Sequence, residues 1–525
     1  MNHLLKSIRK SVNWGGKPIS LLMIAALILA LLPAASPPAT ALRAQPILLQ
    51  MAAESPEQTV SVIVQKTAAS IGAEDMVAAL GGVVTKDLHI INAFAAEMSA
   101  RAALELARSA SVRWVSLDAP VVRAAATETV RDEFTAVPYR NYFLDTLGVR
   151  QAWNLGLNGN GIGVAVIDSG ISPDQDFSSV RRSVSFSTNS STVNDVYGHG
   201  THVAGIIAGN GTNSAGLYVG IAPGVDLLSL KIADDAGQAY ESDTVAAIQW
   251  VLDNKARYNI RVVNLSVNSA MEQSYHTSPL DAAVEILWFN KIVVVVSAGN
   301  NGSGGAYNTT NAAPANDPFI ITVGASDEKG TASRSDDVTA SYSAYGTTTN
   351  GFAKPDLIAP GTNIHSVLSK QSPWCAQYPN RAVLFCKYFR LSGTSMAAPM
   401  VAGAVALLLQ DEPNLTPDQV KYRLLNTGSV IQGSSSDINP ATGQIRTYPY
   451  LDVYAAIAGN TTQSANTGLP ASQMLTTGSG PINSSVNWNS VNWNSVNWNS
   501  VNWNSVNWNS VNWNSVNWNS MYWGP

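Results

Sequence analysis

The stretch Val164-Ala165-Val166-Ile167-Asp168-Ser169-Gly170 is a continuous apolar run that ends in a carboxylate and a glycine. Such a run is typical of a strand buried on both faces, and from Gly161 onward similar runs alternate with helix-like segments. This alternation predicts an α/β fold with a parallel sheet covered by helices on both faces. The predicted strands are 163–167, 225–231, 261–267 and 291–297, and the predicted helices are 201–208, 243–257 and 280–290.

Functional groups of parallel sheets gather where the strands end, which draws attention to Asp168. Taken alone, this carboxylate is explained equally well as the cap of a turn. The segment Gly198-His199-Gly200-Thr201-His202 opens a helix rich in small residues and brings a histidine to the sheet edge. The two histidines lack the spacing and the glutamate of a metallopeptidase helix, so we expect His202 to be structural.

A third segment, Ser392-Gly393-Thr394-Ser395-Met396-Ala397-Ala398-Pro399, precedes a strongly helical stretch over 400–410. Ser395 fits two roles, the N-cap of that helix or a nucleophile whose backbone N–H faces an oxyanion. Pro399 suits the first turn of a helix, where a missing N–H costs little.

Together the three segments supply a carboxylate, a base and a nucleophile in the order Asp168, His199, Ser395, the order found in subtilisin. They resemble the subtilisin-like serine peptidases nearly residue for residue, and the resemblance covers about residues 140–458. It implies a subtilisin-like fold and a serine endopeptidase that hydrolyses peptide bonds in proteins through an acyl-enzyme. It also implies that Asn300, which follows Ser297-Ala298-Gly299, donates to the oxyanion.

The resemblance further implies where a peptide substrate binds. Ser266-Val267-Asn268 forms the edge strand to which the peptide adds, and Ser297-Ala298-Gly299 forms the opposite wall. Asn268 stands where the family usually has glycine, so either its side chain narrows the pocket for the residue before the cut or the loop is shifted. Neither stretch is charged, which gives no reason to expect specificity for Arg or Lys.

The predicted chemistry requires no cofactor. A structural calcium ion is possible at Asp176, although the partner loop 209–216 departs from the family pattern. Cys375 and Cys386 form a disulfide if the protein is exported, and are otherwise two buried thiols.

The N-terminal region before the peptidase segments has its own pattern. Residues 56–122 read as strand, helix, strand, strand, helix, strand, an order that resembles the ferredoxin-like inhibitor pro-domain of these peptidases. The resemblance implies that this unit is an intramolecular inhibitor of a self-processed zymogen. Residues 123–145 are then a linker with the processing site, and residues 146–458 are the peptidase domain.

The first 44 residues carry a basic start, the apolar run Ile19–Ala35 and small residues, as a secretory signal does. We expect cleavage after Ala41 or after Ala44. The mature protein would then be secreted and would not stay inserted in a membrane. An uncleaved membrane anchor is the alternative, since the run approaches spanning length.

Residues 459–525 form a tail without Asp, Glu, Lys or Arg, in which Ser-Val-Asn-Trp-Asn repeats seven times between Ser485 and Asn519. A five-residue period fits neither a helix nor a strand, so we expect a flexible tail, with a pentapeptide-like coil as the alternative. A tail rich in tryptophan also suggests a second function, a surface binding or adhesion protein associated with the cell surface.

The amino-acid composition excludes several classes of protein. The 46% apolar content supports a large buried core and excludes wholesale disorder, while a net charge of −5 gives no support for nucleic-acid binding. Two cysteines exclude a scaffold dense in disulfides and a four-thiolate zinc site.

Overall fold

The computed structural model describes residues 43–67, 72–123, 140–302, 308–439 and 442–475. The predicted signal run, most of the linker and all seven repeats lie outside these residues. From Ala44 onward the described chain belongs to one compact unit.

The first part of the chain, residues 44–117, is an α+β unit that we call the N-terminal unit. Its four strands form an antiparallel sheet in the order β2-β3-β1-β4, as a ferredoxin-like βαββαβ arrangement requires. The elements are α1 (Pro46–Glu54), β1 (Thr59–Lys66), α2 (Gly72–Ala79), β2 (Val83–Leu88), β3 (Ala93–Ser99), α3 (Ala100–Leu106) and β4 (Val112–Leu117).

This unit begins earlier than the predicted boundary at residue 56. Ala44 forms a bridge with Val115, and Leu48 of α1 is fully buried. The segment therefore belongs to the folded unit, because its apolar side chains complete the core beside α3.

The remaining described elements include a large central sheet and several short peripheral strands. They are β5 (Pro120–Arg123), α4 (Phe143–Thr146), α5 (Val149–Asn154), β6 (Gly163–Asp168), β7 (Val180–Ser185), α6 (His199–Ala208), β8 (Asp226–Lys231), β9 (Ala239–Tyr240), α7 (Glu241–Asn254), β10 (Ile260–Leu265), β11 (Val267–Ser269), α8 (Pro279–Phe289), β12 (Val293–Ser297), β13 (Ile321–Asp327), β14 (Val338–Thr339), β15 (Gly346–Thr347), β16 (Ala353–Lys354), β17 (Leu357–Pro360), β18 (Ile364–Val367), α9 (Trp374–Gln377), β19 (Ala382–Val383), β20 (Tyr388–Leu391), α10 (Thr394–Asp411), α11 (Pro417–Asn426), β21 (Val430–Gln432), β22 (Thr447–Pro449) and α12 (Val453–Ala458).

The central sheet has the strand order β14-β13-β12-β10-β6-β8-β7, and β17 also pairs with β13. All its pairings are parallel except the short antiparallel pairing of β13 with β14, so the predicted parallel sheet is confirmed. The predicted strand 261–267 is wrong at its end. The chain leaves the sheet after Leu265 and starts β11, which belongs to a different sheet, at Val267.

Two pairs of helices cover the sheet. Helices α6 and α10 pack together, with α10 lying along β10, β12 and β13, while α7 packs against α8. Among the described residues, α10 alone is long and apolar enough to cross a membrane, but 89% of it is buried inside the protein. It is therefore the central core helix.

The folded domain extends past both predicted boundaries. Phe143 and Leu144 of α4 lie in the core although they belong to the predicted linker. At the other end Ala471 and Met474 are buried in the same core, beyond residue 458. Composition misled the prediction here, because an uncharged segment can pack through a few apolar side chains.

Candidate active site

Asp168 and His199 are brought together at the edge of the central sheet. Asp168 is the last residue of β6 and His199 the first of α6, and the histidine Nδ1 lies 2.7 Å from Oδ1 and 2.9 Å from Oδ2 of the carboxylate. Since an ionised carboxylate can only accept, Nδ1 donates and the ring's basic atom is Nε2. Both side chains are fully buried.

The close approach of α6 to β6 depends on Gly200. A Cβ atom at this position would lie 2.2 Å from the carbonyl oxygen of Gly170 and 3.1 Å from the Cβ of Asp168. Any side chain would push the helix away from the strand. The glycine after His199 therefore keeps imidazole and carboxylate within hydrogen-bonding distance.

Asp195 holds this junction in place, and sequence reasoning missed it. Its Oδ1 accepts from the Ser169 hydroxyl and the Gly198 N–H, and its Oδ2 accepts from the N–H and hydroxyl of Thr201. Ser169 Oγ in turn accepts from the Gly200 N–H. Burial raises the pKa of Asp195, while these donors oppose that rise. An acidic residue just before a helix start was the available signal.

Ser395 lies in the first turn of α10 and is fully buried. Its hydroxyl donates to the carbonyl of Ser266 at 3.3 Å, and the Ser266 hydroxyl donates back to the carbonyl of Ser395 at 3.3 Å. That carbonyl is available because Pro399, four residues on, has no N–H to complete the helical bond. The prediction that Pro399 lies in the first turn is wrong, since α10 already begins at Thr394.

Asn300 lies beside the start of α10. Its Oδ1 accepts from the backbone N–H of Thr394 at 2.9 Å and from the Thr394 hydroxyl at 3.1 Å. The same hydroxyl accepts from the Gly299 N–H at 3.0 Å. With Oδ1 engaged, the donor that Asn300 can offer an oxyanion is Nδ2. Thr394, which sequence reasoning did not single out, therefore orients this amide.

The predicted substrate strand is occupied by the chain's own segment β5. This segment lies between β11 and β9 in a three-stranded antiparallel sheet, with Val122 opposite Asn268 and Arg123 opposite Val267. The Ala270 N–H donates to the carbonyl of Pro120 at 2.8 Å. The segment that follows the N-terminal unit thus adds to the same edge that the resemblance assigned to a peptide.

The two predicted pocket walls are joined by a side chain. Nδ2 of Asn268 donates to the carbonyl of Ser297 at 3.1 Å, and Asn268 is 1% exposed. Gly299, at the end of the opposite wall, has φ of +104°, and a Cβ there would lie 1.9 Å from Oγ1 of Thr309. The wall 297–299 therefore follows a path that requires glycine at this position.

His202 occupies the interior of the protein, away from the Asp168 carboxylate. Its Nε2 donates to the carbonyl of Phe389 at 2.9 Å. Burial lowers its pKa to about 3, so the imidazole stays neutral at ordinary pH. These contacts support the predicted structural role.

The residues around Asp176 do not fit a calcium ion. Oδ1 of this buried carboxylate accepts from the Asn213 N–H at 2.7 Å, and Oδ2 accepts from the Tyr388 hydroxyl. Calcium needs about six to eight oxygen ligands, whereas donor groups already face both oxygens here. In the described ranges there is also no group of three Asp, Glu, His or Cys side chains placed to hold a metal.

Cys375 and Cys386 are joined in a disulfide. The residues just before the loop that they close pack beside the start of α6, where Trp374 contacts Tyr197 edge to face and the Ser372 hydroxyl donates to the carbonyl of Tyr197. The disulfide thus closes a loop that directly follows this contact segment.

Comparison with known proteins agrees with this geometry. The chain matches the Subtilase family over residues 159–503. It is 38% identical to Serine protease AprX of Bacillus subtilis over 278 residues, 51% of this chain and 62% of that protein. It is 32% identical to Subtilisin NAT of Bacillus subtilis subsp. natto over 362 residues, 69% of this chain and 82% of that protein.

A solved structure is similar as well. It is fervidolysin from Fervidobacterium pennivorans, described as a keratinolytic enzyme related to subtilisin, with a TM-score of 0.58 and 25% identity. The match covers 78% of this chain and 62% of that protein. The chain therefore belongs to the subtilase family and carries the machinery of a subtilisin-like serine endopeptidase.

Proposed function

We propose that this chain is a secreted serine endopeptidase made as an inhibited precursor, whose first substrate is its own N-terminal segment. The observation that carries the proposal is the position of β5, inserted as the middle strand between β9 and β11. A peptide substrate that binds by strand addition needs that same edge. While β5 is in place, no other peptide can use it.

The N-terminal unit is anchored to the catalytic domain next to β5. Oδ1 of Asp118, the residue directly after this unit, accepts from the Ser242 N–H at 2.8 Å, at the start of α7, where a carboxylate is favourable. Lys86 forms an ion pair with Asp243 at 2.5 Å. These contacts keep the unit docked, which supports its role as an intramolecular inhibitor.

The strand register supports a proposal for where the chain is cut. Arg123 faces Val267, and in a bound peptide that keeps this antiparallel register the following residue would face Ser266. The carbonyl of Ser266 is the group that accepts from the Ser395 hydroxyl. We therefore expect hydrolysis between Ala124 and Ala125, within the predicted processing region 123–145.

The chemistry follows from four side chains and one backbone N–H. Ser395 attacks the peptide carbonyl while Nε2 of His199, which has no hydrogen-bond partner among the described residues, takes the hydroxyl proton. Asp168 holds the imidazole by its Nδ1–H and stabilises the imidazolium. For this step the hydroxyl turns from Ser266 toward His199. Asn300 and the Ser395 N–H bind the oxyanion of the tetrahedral intermediate. The peptide C–N bond then breaks as the imidazolium gives its proton to the leaving amine, which leaves an acyl-enzyme. Water, deprotonated by His199, attacks this ester, and the acid and free Ser395 are released.

Secretion completes the proposal. The basic and apolar N-terminal sequence has the order of a signal peptide. Ala44 already pairs with Val115 in the N-terminal unit, which favours signal cleavage after Ala41 rather than after Ala44.

The proposal is tested with Ser395→Ala, expressed in a host without other extracellular peptidases. Loss of this nucleophile in subtilisin itself lowers kcat by about 10⁶, so self-cleavage should stop and the intact precursor should accumulate. Wild-type enzyme added in trans should cut the variant. N-terminal sequencing of the wild-type product should start at Ala125.

The matched control is Ser333→Ala, the same change at an exposed loop residue, which should mature normally. If Ser395→Ala matures at the same bond as the wild type, self-processing is wrong. A wild-type protein whose first cleavage lies at any bond other than Ala124–Ala125 would refute the register argument.

A further inference from the structure

We infer that Asn268 restricts this peptidase to substrates with a small residue, Ala, Gly or Ser, immediately before the scissile bond. The inference rests on the proposed peptidase function and names its substrate class. The starting observation is the hydrogen bond from Asn268 Nδ2 to the carbonyl of Ser297, which spans the two walls of the cleft.

Strand geometry places the side chain of Asn268 on the same face as the substrate side chain that precedes the scissile bond. A substrate in the place of β5 presents its reacting carbonyl from the residue opposite Ser266, because Ser395 lies there. In an antiparallel pair, directly opposed residues point to the same face, and so do alternate residues along one strand. The side chain before the cut and the side chain of Asn268 therefore share one face.

The walls cannot simply move apart to make room. Ser297 ends the buried strand β12 and pairs with Val323 of β13, so it is fixed to the central sheet. Asn268 lies in β11, whose neighbour Ser269 donates its N–H to the carbonyl of Ala313 at 2.6 Å. Displacing the amide would also leave a buried donor and a buried acceptor unpaired, which is unfavourable. A large side chain in the substrate meets this barrier and a small one does not.

The chain's own sequence agrees with this restriction. The proposed first cut lies between Ala124 and Ala125, and the sequence after Arg123 is Ala124-Ala125-Ala126. The segment that the enzyme must process in itself therefore offers only the smallest chiral side chain at the cut.

The experiment measures kcat/KM on tetrapeptide p-nitroanilides that differ only in the last residue: Ala, Ser, Leu or Phe. Wild-type enzyme should prefer Ala over Phe by about 10-fold or more, the scale of discrimination that a pocket achieves by size. Asn268→Gly should raise kcat/KM for Phe by about 10-fold and abolish the preference. Ser269→Gly, the same kind of change on the opposite face of β11, should keep the wild-type profile.

The wild-type enzyme alone also tests the inference, through mass spectrometry of a digested denatured protein. Cleavage mainly after Leu, Phe or Tyr would overturn it, and so would an unchanged profile in folded Asn268→Gly. Each preparation is first titrated with phenylmethylsulfonyl fluoride. A preparation in which this reagent leaves Ser395 unlabelled would contradict the peptidase proposal, whereas labelled enzyme with a large-residue preference contradicts only the role of Asn268.

Discussion

The side-chain amide of Gln65 donates a 2.5 Å hydrogen bond to the carbonyl of Met474, which lies 409 positions later in the chain. Gln65 belongs to β1 of the N-terminal unit and is buried, and Met474 packs in the core of the catalytic domain. Arg113 of the same unit donates to the neighbouring carbonyl of Gln473. A segment beyond residue 458 therefore fastens the N-terminal unit to the enzyme.

This contact predicts that Gln65→Ala speeds release of the N-terminal unit after cleavage. The change leaves the buried carbonyls of Met474 and Ile91 without their donor, a loss of about 1–3 kcal/mol, or roughly 10-fold in the dissociation rate. Release is followed by the appearance of activity on a chromogenic peptide. Ser61→Ala, in the same strand, is the control, and equal release from both variants would refute the fastening role.

Two truncations separate the packed part of the tail from the repeats. Removal of residues 476–525 should leave the melting temperature unchanged, because the five-residue repeat predicts a flexible tail, whereas Ala471 and Met474 are described and pack in the core. Removal of residues 459–525 exposes the core surface that Met474 covers. It also removes the hydrogen bond in which the Ser472 N–H donates to Oε2 of Glu285 at 2.7 Å. For a folded region of about 400 residues, a loss of about 2 kcal/mol in the free energy of unfolding lowers Tm by roughly 2 °C. Calorimetry on an inactivated precursor checks this, and equal melting of the two truncations would contradict it.

Asn300→Ala should lower kcat far more than it changes KM, since an oxyanion donor acts mainly in the transition state. The reference magnitude, about 10²–10³ in kcat, is that of the corresponding donor in subtilisin itself and is not deduced from this geometry. Steady-state kinetics on a soluble peptide gives both constants. Asn301→Ala is the neighbouring control. An increase in KM with unchanged kcat would instead assign Asn300 to substrate positioning.

The docked N-terminal unit should hold less tightly as the pH rises. Burial, with a smaller contribution from the nearby charge of Asp118, raises the pKa of the Glu241 carboxyl group to about 8. A carboxyl group whose pKa is raised in the docked state stabilises docking in its protonated form, and this stabilisation is complete at pH values below its ordinary pKa. The stabilisation is lost as the pH rises through the raised pKa.

Dissociation of the cleaved unit should therefore accelerate between about pH 5 and pH 8. The dissociation rate is measured across this pH range from the appearance of activity on a chromogenic peptide. Glu241→Gln, which cannot ionise, should flatten the upper part of the profile. Release that slows with rising pH would contradict the assignment.

The sequence by itself determined the sheet and the residue types at its edge. A continuous apolar run such as Val293–Val296 is stable only when buried on both faces, so β12 was predictable without knowledge of its neighbours. The segments around Asp168, His199 and Ser395 were equally visible, because each is a short local pattern at a strand or helix end.

Only the tertiary structure decided how these groups are held and what occupies the cleft. Asp195, the bridge from Asn268 to Ser297, and the bond from Gln65 to Met474 each join segments distant in sequence. Whether such atoms meet depends on strand register and on helix position, and a shift of one residue would turn each side chain to the opposite face. Local periodicity carries no information about that register, and the insertion of β5 between β9 and β11 emerged only from the folded chain.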